Sequence, residues 1–188
     1  MENKRLFISL PVDPGLAKNL IKQFERLDIP HDKLKSVLPE QLHLTVKFLG
    51  DTPLDKIDQI IEALENACDK HGNFDLVITK PQIFPITDDY LRPARVLSLG
   101  LEASPQLQEL YDKIEEGLWQ AGLAHKENRK FTPHLTLARV KQSTMIKELE
   151  NFLTWPVTNA FAVDYLQLQE SILDKKGPQH IVLNTSDL

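Results

Sequence analysis

Apolar and polar positions along this chain recur with two periods, near two and near 3.6, and the switches between them mark the elements. Leu6, Phe7, Ile8 and Leu10 predict a first strand. Asp13-Pro14 then reads as an N-cap with proline at the first helical position. Leu16, Leu20, Phe24 and Leu27 follow as one apolar stripe, and Pro30 closes that unit. Residues 42–49, L-H-L-T-V-K-F-L, alternate as a half-buried strand, and Gly50-Asp51 predicts a turn. Thr52-Pro53 with Asp55 resembles a capping box, opening a helix whose stripe is Leu54, Ile57, Ile61, Leu64 and Cys68. Strands are predicted near 74–79 and 95–101, with I-F-P-I-T-D-D-Y as the loop between them.

The plan then recurs. Ser104-Pro105 caps a third helix carrying Leu107, Leu110, Ile114 and Leu118, which ends near Gly122. Polar K-E-N-R-K is a loop, 134–138 is a strand, and Ile146, Leu149 and Phe152 mark a short fourth helix. Strands near 161–169 and 180–184 finish the chain, separated by the turn D-K-K-G-P. The tetrapeptide H-L-T-V at 43–46 returns as H-L-T-L at 134–137, an offset of 91 residues (134 − 43). That is close to half of the 188-residue length, and it predicts two pseudo-symmetric lobes within one domain spanning 1–188.

On a strand, residues i and i+2 share a face. His43 and Thr45 therefore point the same way, with Lys47 on their face and Leu44, Val46 and Phe48 on the core face. His134 and Thr136 form the matching pair, with Leu135 and Leu137 behind them. If the two strands lie side by side about a pseudo-dyad, two imidazoles and two hydroxyls converge on one groove. That set suits a phosphodiester: two histidines serve as acid and base near neutral pH, and hydroxyls donate to phosphate oxygens. No metal is needed where those donors carry the developing charge. A zinc site competes, with His125 as a third ligand, but H-x-x-x-H and H-E-x-x-H spacings are absent.

Composition narrows the classes. With 41% hydrophobic and 26% charged residues, the chain reads as a globular protein able to build its own core. A net charge of −5 disfavours bulk coating of nucleic acid, though not a local anion site. One cysteine, Cys68, excludes a disulfide framework or a cysteine-rich metal site within one chain. Cys68 falls on an apolar stripe and is expected to pack, with His71 three residues on and within helical reach. No run approaches a membrane span of about 18 apolar residues. The start M-E-N-K-R-L-F is too soon polar for a signal peptide, and a reducing cytoplasm is expected. No phosphate-binding G-x-x-x-x-G-K-[ST] loop occurs. Asp88-Asp89 reads as a solvated loop pair, and His31, His71, His125 and His180 as surface histidines.

Two H-x-T-x motifs, the opening R-L-F-I-S-L-P, the runs L-H-L-T-V-K-F-L-G and F-T-P-H-L-T-L-A-R, and the late E-S-I-L-D-K-K-G-P together resemble the 2H phosphoesterases. Within them the sequence is most similar to the RNA 2′,3′-cyclic phosphodiesterases, also called 2′-5′ RNA ligases or LigT-like proteins. The resemblance implies an α+β fold of two lobes, each an antiparallel sheet with helices outside, facing across a groove. It implies His43 as proton donor, His134 as proton acceptor, and Thr45 and Thr136 as phosphate-holding groups. The implied reaction opens a terminal 2′,3′-cyclic phosphate to a 2′-phosphomonoester without metal or cofactor, and in reverse joins 2′-5′ ends without ATP. The implied partner is RNA with such an end, tRNA fragments included, with no membrane and no obligate protein partner.

Arg139 matches an arginine that members carry five positions after the second histidine, although strand parity puts it with Leu135 and Leu137 unless the strand bulges. Lys47, Arg139, Arg92 and Arg95 are candidates for flanking phosphates, and Phe7 either packs in the core or offers a face to a base. Members often carry tyrosine where His180 stands, and an aromatic where this chain has K-S-V-L-P-E-Q. Two other readings stay open: a 2H enzyme for a small cyclic nucleotide or cyclic phosphate, and a non-catalytic RNA-binding module on the same fold.

Overall fold

A computed structural model describes residues 2–174 and 177–188. Lys175 and Lys176, at the centre of the expected D-K-K-G-P turn, lie outside the described residues. The strands are β1 (Asn3–Pro11), β2 (Leu34–Ser36), β3 (His43–Pro53), β4 (Phe74–Phe84), β5 (Val96–Leu101), β6 (His134–Val140), β7 (Asn159–Val163), β8 (Tyr165–Asp174) and β9 (Gly177–Asp187). The helices are α1 (Pro14–Phe24), α2 (Ile57–Cys68), α3 (Pro105–Gln120) and the single turn α4 (Glu150–Leu153).

Two helix starts follow the sequence directly. Asp13 accepts the Leu16 amide at 2.8 Å ahead of α1, and Ser104 accepts the Leu107 amide at 3.2 Å ahead of α3. The expected start of the second helix at Thr52 is corrected. Its hydroxyl donates back to the Gly50 carbonyl at 3.1 Å, and pairing with β1 holds the chain extended to Pro53. A 3₁₀ turn over Leu54–Lys56 then delivers α2. Nor does Gly50 end the strand. It sits at φ 72° beside a register shift in which Leu6 faces Gly50 and Phe7 faces Phe48, so glycine accommodates a bulge.

Among the described residues the nine strands form one antiparallel sheet in the order β7-β4-β5-β6-β3-β1-β8-β9, with β2 pairing β6. β7 and β8, read from sequence as one strand, are separated only by Asp164 yet lie towards opposite ends of that order. The sheet must therefore curl until its two ends approach one another. Val163 pairs with Phe74 on one side of Asp164, and Tyr165 with Asp187 on the other. The two halves meet at the middle of the order, β3 against β6, at the registered pair Leu44–Leu135. Both leucines are fully buried. They join Leu10, Phe24, Leu64, Leu99, Leu118 and Phe152 in a core shared by the sheet and its helices.

Candidate active site

The pair Leu44–Leu135 fixes the geometry of the motifs. An antiparallel register centred there sets His43 across from Thr136 and Thr45 across from His134. All four side chains leave the face opposite the buried leucines, and all four are half-buried. The offset of 91 residues in sequence (134 − 43) is thus a pseudo-dyad through the two leucines.

The symmetry extends to the imidazoles. His43 Nδ1 lies 2.7 Å from the Gln41 carbonyl, and His134 Nδ1 lies 2.8 Å from the Thr132 carbonyl. A carbonyl only accepts, so each Nδ1 carries the hydrogen and each neutral ring presents an unprotonated Nε2. His43 Nε2 is 3.1 Å from Thr45 Oγ1, within reach of that hydroxyl's proton.

Each motif is followed by a bulge. Ile8 faces Lys47 while Ser9 faces Thr45, so Val46 is the extra residue in β3. Leu97 faces Ala138 while Ser98 faces Thr136, so Leu137 is the extra residue in β6. A bulge reverses which side chains face which side beyond it. Arg139 is accordingly brought to the exposed, groove-facing side, and its charge acts on His43.

The same reversal corrects two expectations. Lys47 turns inward and is 9% exposed; its Nζ is paired with Glu115 Oε1 and donates to the His125 carbonyl at 2.9 Å. It is not available to a phosphate in the groove. Phe48, expected in the core, stands 70% exposed. Phe7 is corrected as well: at 2% exposure it offers no free face to a base. Its ring packs against His43 at 5.1 Å and His180 at 4.8 Å between centroids.

His180 is the residue that sequence reasoning misses. Its ring stands edge-on to His43 at 5.3 Å, and its Nδ1 is buried without a hydrogen-bond partner among the described residues. The available signal is its place at a position where the resembling family carries tyrosine. Phe84 backs His134 at 4.7 Å. Burial lowers the pKa of His43 to about 4; the Gln41 carbonyl opposes this, and the charges of His180, Arg139 and His134 add to it. Burial also lowers the pKa of His180.

Arg92 and Arg95 are exposed on the connection beyond Phe84. Cys68 is buried, its thiol pushed up to about 11 chiefly by burial, while His71 bonds the Gln106 carbonyl at 3.0 Å. Asp89 accepts the Leu91 amide in a local turn. Among the described residues no three His, Cys, Asp or Glu side chains gather as metal ligands. A cleft of 1310 Å³ between α2 and α3 is lined by Glu62, Glu109 and Glu116 and contains none of the groove residues.

The sequence profile of the 2′-5′ RNA ligase superfamily matches residues 13–174, which include both motifs and both bulges. The chain belongs to this superfamily. A superfamily relative from Thermotoga maritima, named RNA 2′,3′-cyclic phosphodiesterase, is 30% identical over 181 residues, 95% of this chain and 92% of its own. One of the same name from Methanothermobacter thermautotrophicus is 27% identical and covers 93% of each chain. The solved structure of E. coli LigT complexed with 3′-AMP matches with a TM-score of 0.79 at 22% identity, over 100% of this chain and 99% of that one. At that identity the likeness is one of fold. Among the described residues no helix is long and apolar enough to cross a membrane.

Proposed function

We propose that this protein opens terminal RNA 2′,3′-cyclic phosphates to 2′-phosphomonoesters by metal-independent histidine acid–base catalysis. One observation carries the reading: the register at Leu44–Leu135 sets two H-x-T motifs head to tail, each histidine held through Nδ1 with Nε2 unprotonated. The names of the relatives supply the substrate class.

The cyclic phosphate binds as an anion between Thr45 and Thr136, whose hydroxyls donate to its non-bridging oxygens, with Arg139 beside it. His134 Nε2 takes a proton from water as the water oxygen bonds to phosphorus. The bond from phosphorus to the 3′ oxygen breaks, and His43 Nε2–H gives that oxygen its proton. The products are a 2′-phosphate and a 3′-hydroxyl. A 5′-hydroxyl attacking in place of water, with His134 taking its proton and the 3′ oxygen leaving as before, gives a 2′-5′ linkage without ATP.

His43 is neutral in the empty site at pH 7, since its pKa lies near 4. The donor role therefore requires that it take up a proton with the substrate. A phosphate anion at hydrogen-bond distance favours the imidazolium, offsetting burial and the neighbouring positive charges. Phe48 offers an exposed phenyl face to a base, in place of buried Phe7.

The test is product analysis on an oligonucleotide ending in a 2′,3′-cyclic phosphate. A 2′-phosphate end is expected, in the presence of EDTA as in its absence. A 3′-phosphate end, or loss of activity on chelation restored by a divalent ion, contradicts the reading. Turnover confined to small cyclic nucleotides assigns a different substrate.

A further inference from the structure

Lys47 and Glu115 form a buried ion pair, each side chain 8% exposed, between the strand that carries the first motif and helix α3 of the second half. Burying two opposite charges is costly and is often no more stabilising than two apolar side chains of similar size. The remaining bonds of this pair are directional. Lys47 Nζ donates to the His125 carbonyl at 2.9 Å, and Glu115 Oε2 accepts the Glu127 amide at 2.8 Å. Both reach the backbone of the loop between α3 and β6. Further along that loop Phe131 stacks on Tyr111 of α3, with centroids 4.2 Å apart and planes 11° from parallel. The loop ends at Thr132, whose carbonyl holds His134 Nδ1, and at Pro133.

We propose that the Lys47–Glu115 pair is a positioning device, tying the β3 bulge to the loop that delivers His134 and so setting the two histidines relative to one another. It touches no substrate. The bulge at Val46 turns Lys47 inward, and Glu115 lies one helical turn beyond Tyr111 on α3, so both anchors hold the same loop. An apolar pair would fill the space but would lose both bonds to the loop backbone. The kinetic part of this inference rests on the proposed cyclic phosphodiesterase activity, whereas the placement of His134 can be read without it.

The experiment compares wild type with Lys47→Met/Glu115→Met, Lys47→Met and Lys47→Arg. Each is assayed on a cyclic-phosphate oligonucleotide, and the nitrogen-15 ring spectrum of His134 is recorded without substrate. The double variant is expected to fold with a melting temperature at or above wild type. Its kcat is expected to fall by about 10²-fold, the scale of a misplaced catalytic group, with KM within about threefold. Its His134 ring is expected to show mixed tautomers, where wild type shows Nδ1–H alone. Lys47→Arg, which keeps the charge and the reach, is expected to recover most of the kcat lost in Lys47→Met. A stable double variant with wild-type kcat and a single His134 tautomer overturns the proposal. If the double variant does not fold, equal kcat in Lys47→Arg and Lys47→Met overturns it. If wild type does not turn over the oligonucleotide, the activity reading fails, and an unchanged His134 spectrum in the folded variants overturns the positioning role separately.

Discussion

Phe48 and Arg139 occupy equivalent positions about the pseudo-dyad, each five residues after its histidine and just past its bulge. The backbone is symmetric there and the chemistry is not: one half offers a phenyl face and the other a guanidinium. On the proposed reading, a bound nucleotide is expected to lie with its base towards Phe48 and its phosphate towards Arg139. Phe48→Ala is expected to lower kcat/KM about tenfold on a cyclic nucleotide end, the scale of one lost base stack. It should leave a cyclic phosphate without a base unaffected. Arg139→Ala is expected to weaken both substrates and to flatten the salt dependence of KM. Equal losses on both substrates for Phe48→Ala would exclude it as a base platform.

The histidines should give a bell-shaped dependence of kcat/KM on pH, with limbs that belong to the pair. With the His43 pKa lowered to about 4, the acidic limb is expected near that value, below an ordinary histidine. A bound phosphate anion raises it, so the acidic limb of kcat should lie at higher pH than that of kcat/KM. His180→Phe removes the repulsion that a protonated His180 exerts on His43 and should move the acidic limb of kcat/KM upward. Rate profiles of wild type and His180→Phe check this. An unmoved limb would show that His180 does not act on His43.

The same burial links stability to pH. His43 titrates near 6.5 in the unfolded chain and near 4 in the folded one, so between those values the unfolded chain binds more protons. Stability should therefore be fully present above about 6.5 and fall as pH drops towards 4. His43→Gln is expected to reduce the loss between pH 7 and pH 5 by about 2 kcal/mol. Urea unfolding at the two pH values measures it, and an identical loss in both proteins would contradict the buried, neutral state of His43.

Much of the site is legible in the sequence because it repeats. One H-x-T says little, but two copies 91 residues apart (134 − 43) identify the strands that meet at Leu44–Leu135. Side-chain parity then fails at Val46 and Leu137. V-K-F-L still alternates on paper, and the extra residue is visible only in the pairing with β1. That is why parity sends Lys47 to the groove and Phe48 to the core, each the reverse of its place. The break at Asp164 is hidden for a related reason: A-F-A-V-D-Y-L-Q-L reads as one strand, and only the curl of the sheet separates its halves. His180 cannot be placed from its neighbours in sequence, because its partners, Phe7 and His43, come from the far end of the chain.

If His43 and His134 act as one acid–base unit, the steady-state rates of the two alanine variants will show it. His43→Ala and His134→Ala are each expected to lose on the order of 10²–10⁴ in rate on a cyclic-phosphate oligonucleotide, with circular dichroism unchanged. The double variant should lose far less than the product of the two. A folded His43→Ala protein that turns over near the wild-type rate would contradict the account.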